Sequence, residues 1–103
     1  QDSPVKSVNK KQQRQEQAQK RQRLKPLYDK VRQVEEQLAS NRARLTELEE
    51  RLADESIYSD QGRKDELTQL VRDQADVKST IETLEWDWLQ ASENLEKADA
   101  QSV

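Results

Sequence analysis

The chain has 103 residues with a formal net charge of -3; 31% of them are hydrophobic and 38% charged. It contains no Cys, no His, no Met and no Phe, which excludes disulfides, thiol chemistry and zinc sites built on Cys or His. One Gly cannot write a GxxxxGK[ST] or GxGxxG loop, and no run approaches the roughly 20 apolar residues of a membrane span or a signal-peptide core.

The charge is divided along the chain. Residues 1–34 hold ten Lys/Arg against three acids, a balance of +7, while the remainder holds eight bases against eighteen acids, a balance of -10. Such asymmetry points to nucleic acid or a membrane surface as a partner of the basic end, or to a solvated linker. Residues 1–23 are Gln-, Lys- and Arg-rich with almost no apolar side chain, so they are predicted as a flexible basic linker or a fraying helix.

A first heptad stripe follows: Leu24, Leu27, Val31, Val34, Leu38, Asn41, Leu45, Leu48 and Leu52. Alternating steps of three and four keep one narrow seam on one face of a helix. Pro26 fits a helix first turn, where its missing N–H needs no partner, so helix one is expected at about 25–53, or kinked at its start. The segment ADESIYSDQG, Ala53 to Gly62, is the turn, at about 54–61. Ile57 and Tyr58 there either fold inward, the favoured reading, or form a contact tip; Ser59 or Asp60 can cap the next helix.

The second stripe, expected on a helix at about 62–97, is Leu67, Leu70, Gln74, Val77, Ile81, Leu84, Trp88, Ala91, Leu95 and Ala98. The two stripes around one turn specify an all-α fold, a two-helix antiparallel coiled-coil hairpin over 24–98 with a short tail at 99–103. At about 30 residues per helix and ~1.5 Å rise, the rod is ~40–45 Å long. Matching the two polar seam positions sets a register. Asn41 faces Gln74, Leu48 faces Leu67 and Leu24 faces Ala91, with Arg51–Glu66, Arg44–Asp73, Lys30–Asp87, Glu49–Lys64 and Glu35–Lys78 as flanking ion pairs. Sliding by a heptad strands both amides, at ~1–3 kcal/mol each.

Carboxylates are plentiful, but paired catalytic acids need a partly dry pocket that a two-helix rod does not offer. No catalytic residue and no metal ligand are assigned, and the chain is read as non-enzymatic. Trp88 lies in the seam. Trp86 points away from it and is an interaction candidate with Tyr58; an outward indole covers the linker, a neighbouring domain or a base, with protein favoured. Tyr28 is expected to pack over the seam near Glu85.

Three segments carry a family likeness: RQRLKPLYDKVRQVEEQL (residues 21–38), LADESIYSDQGRKDELTQL (52–70) and LEWDWLQASENLE (84–96). In order and spacing they resemble the C-terminal coiled-coil domain of ABC-F ATPases, YheS-like members especially. The first looks like the family's basic-Leu-x-Pro-Leu start of helix one, the second like its Tyr-x-Asp turn (Tyr58, Asp60), the third like its Trp-Leu pattern (Trp88, Leu89). Tyr28-Asp29 departs from the basic pair that relatives often carry after Pro-Leu.

The resemblance implies a parent with two ATP-binding cassettes and no transmembrane domain. That parent is a ribosome-associated cytoplasmic translation factor, and ATP and Mg belong to its missing cassettes, with no cofactor in this fragment. It also implies contact with nucleic acid, ribosomal RNA or DNA. Lys20, Arg21, Arg23, Lys25, Lys30 and Arg32 are the expected phosphate contacts, on a monomeric hairpin away from membranes. The alternative is a protein-docking module for the parent's cassettes or a ribosomal protein.

Overall fold

The computed structural model describes the backbone of residues 3–101 and the side chains of residues 9–101. The first two residues of the expected linker and the last two of the tail lie outside the described residues. The described chain is all-α, with no strand: α1 (Ser3–Ala53), the single turn α2 (Ser56–Ser59), a 3-10 turn (Gln61–Arg63) and α3 (Lys64–Gln101).

Helix α1 starts earlier than the expected helix one at about 25–53, as the helical alternative for residues 1–23 allows. It passes through Pro26 without a break and reaches back to Ser3 across the segment expected to be linker. Gln, Lys, Arg and Ala lose little rotamer freedom in a helix, so the segment has helical propensity although it has nothing to bury. Pro26 removes the donor that the Gln22 carbonyl would otherwise use. Both residues are exposed, so water can take that place. From Asn9 to Gln19 every side chain is exposed, so this stretch is a solvated single helix. The molecule measures 87 × 20 × 14 Å, about twice the expected length, because α1 has 51 residues.

From Lys20 onward α1 lies along α3. Every member of both heptad stripes is buried or half-buried. Val34, Leu38, Leu48, Leu70, Val77, Ile81 and Leu84 form one core with Ile57 of α2, and Leu45, Leu52, Leu67 and Trp88 pack against it. Leu24 and Ala91 are buried farther from the turn. About half the stripe stays half-buried because each helix has a single partner to cover it. Leu48 and Leu70 line one groove near the turn, Asn41 and Val77 another midway, and Lys20 meets Asp99 at the far end.

Arg44 and Asp73 border both the groove that Leu48 and Leu70 share near the turn and the one that Asn41 and Val77 share midway. The Asn41 amide donates to its own helix, to the Gln37 carbonyl at 2.8 Å. With one donor bonded locally and the residue half-buried, the penalty on which the amide pairing was argued is reduced. None of the expected flanking pairs is an ion pair among the described residues, although Arg44 and Asp73 border the same grooves and Arg51, after Arg63, helps to lower the Glu66 carboxyl. Arg51 pairs with Glu47 and Glu66 with Arg63, each near its own place in the chain. Lys20–Asp99 is the one ion pair between α1 and α3 among the described residues.

The turn is built by short-range polar contacts around one apolar plug. Ile57 is 1% exposed, closing the end of the seam. Tyr58 keeps its ring in solvent, and its hydroxyl donates to the Leu52 carbonyl in the last turn of α1. Asp54 Oδ1 accepts from the Ser56 amide and hydroxyl. Asp60, rather than Ser59, caps the way into α3, its side chain accepting from the Gly62 amide at 2.9 Å. A Cβ on Gly62 would lie 3.3 Å from that same carboxylate oxygen, so glycine leaves room for the cap. Arg63 then grips Glu66 through two nitrogens, 3.0 Å each.

Candidate functional site

The six basic residues expected to meet phosphate fall on three sides of α1. Arg21, Lys25 and Arg32, with Tyr28 among them, recur at steps of four and three and share one flank. Arg23 and Lys30, seven apart, share the opposite flank. Lys20 sits at the rim of the seam, with its side chain 31% exposed.

Their charges are not equally available. Lys20 Nζ lies 3.1 Å from Asp99. Asp29 takes both Lys25, at 2.8 Å, and Arg32, at 2.9 Å, on its two oxygens. The hydrogen bond from Lys25 and the nearby positive charges hold the Asp29 carboxyl below its usual range. Arg21, Arg23 and Lys30 make no ion pair among the described residues, and Lys30 is not tied to Asp87. Three cations are therefore open to a ligand and three are already compensated on the protein.

Arg21, Gln22, Lys25 and Tyr28 line a shallow groove of about 580 Å³ floored by Ala18. Tyr28 is 53% exposed on this outer flank and does not pack over the seam near Glu85, a correction that follows from its place one position off the apolar stripe. A flat ring beside the open Arg21 on an exposed helix face can stack on a base while the cation holds a phosphate. Because α1 is helical before Pro26, Arg14 continues the same flank, seven residues before Arg21. The step of seven is legible in the sequence, but a linker or fraying helix offers no fixed face on which to place it.

Trp86 is 73% exposed and stands on the outer face of α3, with Leu89 one turn on and 53% exposed. Tyr58 is 59% exposed at the opposite end of the seam from Lys20. Among the described residues no group of three or more potential ligands is placed to hold a metal ion, and no helix is long and apolar enough to cross a membrane.

No family model and no solved structure matches this chain. Curated proteins do. Over 49 residues the chain is 49% identical to the probable ATP-binding protein YheS of Escherichia coli K12, and equally to YheS of strains CFT073 and O157:H7. Half of this chain is related to an ATP-binding protein. The matched span is 48% of the chain but only 8% of each relative.

Proposed function

We propose that this chain is the C-terminal antiparallel coiled-coil arm of an ABC-F-type ATPase and that its basic end contacts nucleic acid, ribosomal RNA or DNA. The parent reading is supported by the identity with YheS, of which this chain would be a small piece. ATP and Mg would then act in cassettes outside it, and the arm would serve a cytoplasmic, ribosome-associated protein as a contact element without chemistry of its own. The paired stripes and the end-to-end order of neighbours support a hairpin, with Lys20 near Asp99 and Leu48 near Leu70.

The observation that carries the nucleic-acid reading is the set of uncompensated cations, Arg21 beside the exposed Tyr28 and Arg23 and Lys30 on the opposite flank of the helix. Phosphate contacts give affinity without reading sequence. Each neutralised phosphate on duplex DNA contributes about -0.9 to the slope of log affinity against log salt. Three open cations predict a slope of about -3, and engagement of all six a slope of about -5. The test is a salt titration of the chain against duplex DNA and against structured RNA, repeated with Arg21→Glu, Arg23→Glu and Lys30→Glu combined. Binding that ignores salt, or survives the triple reversal, rejects the reading.

A further inference from the structure

The acidic half of the molecule carries a surface that the basic end does not use. Trp86 and Leu89 lie one turn apart on α3, both largely in solvent. Glu82 and Glu85 flank them in a groove of about 300 Å³. Leu89 and Glu85 also border a second groove, of about 500 Å³, whose apolar wall is Trp88 of α3 with Leu38 and Ala39 of α1. The two grooves meet along Leu89, so apolar surface runs from the outer indole across to the core. Glu35 and Arg42 stand on its α1 side.

Charge identifies the occupant. Glu35, Glu82 and Glu85 are exposed and make no ion pair among the described residues, leaving three carboxylates against the single Arg42. Helix α3 as a whole has ten acids and four bases. Nucleic acid would bring phosphate against those carboxylates. Two copies of this face brought together would oppose six of them. A cationic polypeptide is favoured by the same charges, and arginine can also lie over the face of an indole. Exposed apolar surface with a polar rim marks a site of protein contact, and tryptophan is enriched where such contacts are strongest.

We infer that the Trp86–Leu89 face is a docking site for an arginine-bearing amphipathic segment of another polypeptide, whose apolar side covers Trp86 and Leu89 and whose guanidinium groups meet Glu82, Glu85 and Glu35. Nothing in this inference depends on the basic end of α1.

The probe is an 18-residue amphipathic helix of leucine and arginine, titrated into the full chain and followed by tryptophan fluorescence and calorimetry. A second peptide has glutamate in place of every arginine. One arginine peptide per chain should bind, the glutamate peptide should not, and Trp86→Ala or the pair Glu82→Lys and Glu85→Lys should each weaken binding at least tenfold. All three positions are solvent-facing, and circular dichroism verifies that the variants stay folded. Reversal of Glu49 and Glu50, acids away from both grooves, should leave the affinity within about twofold. Equal binding of the glutamate peptide overturns the proposal, as does unchanged affinity in Trp86→Ala or an equal loss in the Glu49/Glu50 variant. Sedimentation showing Trp86-dependent self-association overturns it as well, because the occupant is then a second copy.

Discussion

Lys20 Nζ and Asp99 Oδ1 lie 3.1 Å apart although 78 positions separate them in the chain, and they close the end of the seam farthest from the turn. The contact shows where mutual support between the helices ends. On the α1 side it is followed only by the solvated turns from Gln19 back to Asn9.

Breaking that pair should loosen one end of the molecule and little else. Both side chains are partly in solvent, so screening limits the loss to ~0.2–1 kcal/mol. Asp99→Asn is expected to raise amide exchange from Leu95 to Gln101 and around Lys20, leaving Leu48 and Leu70 protected. Hydrogen exchange read residue by residue checks this, and uniform acceleration along α3 contradicts it.

Ile57→Ala should be among the most damaging single changes at the turn. The side chain is 1% exposed and joins the end of the seam to α2. Truncating a buried Ile costs ~2–5 kcal/mol. Tyr58→Phe removes only the hydroxyl bonded to the Leu52 carbonyl, at ~0.5–1.5 kcal/mol. Urea unfolding of the two variants should rank them in that order.

Asp60→Ala should destabilise the start of α3. Its carboxylate holds the Gly62 amide, and loss of such a cap costs ~0.5–2 kcal/mol. Asp60→Asn, which keeps an acceptor oxygen, should recover most of the loss. Equal losses in the two variants would mean that the cap contributes nothing.

Asn41→Leu tests the expected amide pairing. With Asn41 beside Val77 and its amide spent on Gln37, leucine lengthens the apolar seam and strands no partner, so stability should rise by up to about 1 kcal/mol. A face-to-face pairing with Gln74 would make the same change unfavourable by leaving that amide unpaired. The sign of the shift in thermal midpoint decides.

Acid should weaken the fold below about pH 4.5. The Ser56 amide lowers Asp54, the Arg63 guanidinium lowers Glu66 and Lys25 lowers Asp29. Each carboxyl holds its proton less tightly when folded than when unfolded. The stability it supplies is complete above the ordinary carboxylate range near 4 and disappears as pH falls through the lowered value. Asp54 and Glu66 are exposed and Asp29 partly so, and the decline should be shallow. The chain has no histidine, and urea midpoints should be flat from pH 6 to 8 and lower at pH 3. A midpoint that rises toward pH 3 reverses the expected sign.

The seam was legible before any coordinates, because a repeat of three and four residues leaves a helix one face to hide, and all of its members from Leu24 to Ala98 are at least half-buried. The plug and cap of the turn were legible in Ile57 and Asp60 for equally local reasons. The basic candidates were visible as charges. Their availability was not, because Asp29 holds Lys25 and Arg32 from within the same helix while Lys20 reaches across to Asp99.

What the amino-acid order determined by itself was therefore which residues turn inward and where the long helices are interrupted, both set by contacts within a few positions. Tertiary structure alone decided how far α3 slides along α1. Apolar stripes of the same spacing bury similar area at more than one offset, and exposed ion pairs of ~1 kcal/mol or less do not hold a register against that. That the Asn41 amide donates to the Gln37 carbonyl, one turn back, is visible only in packed coordinates.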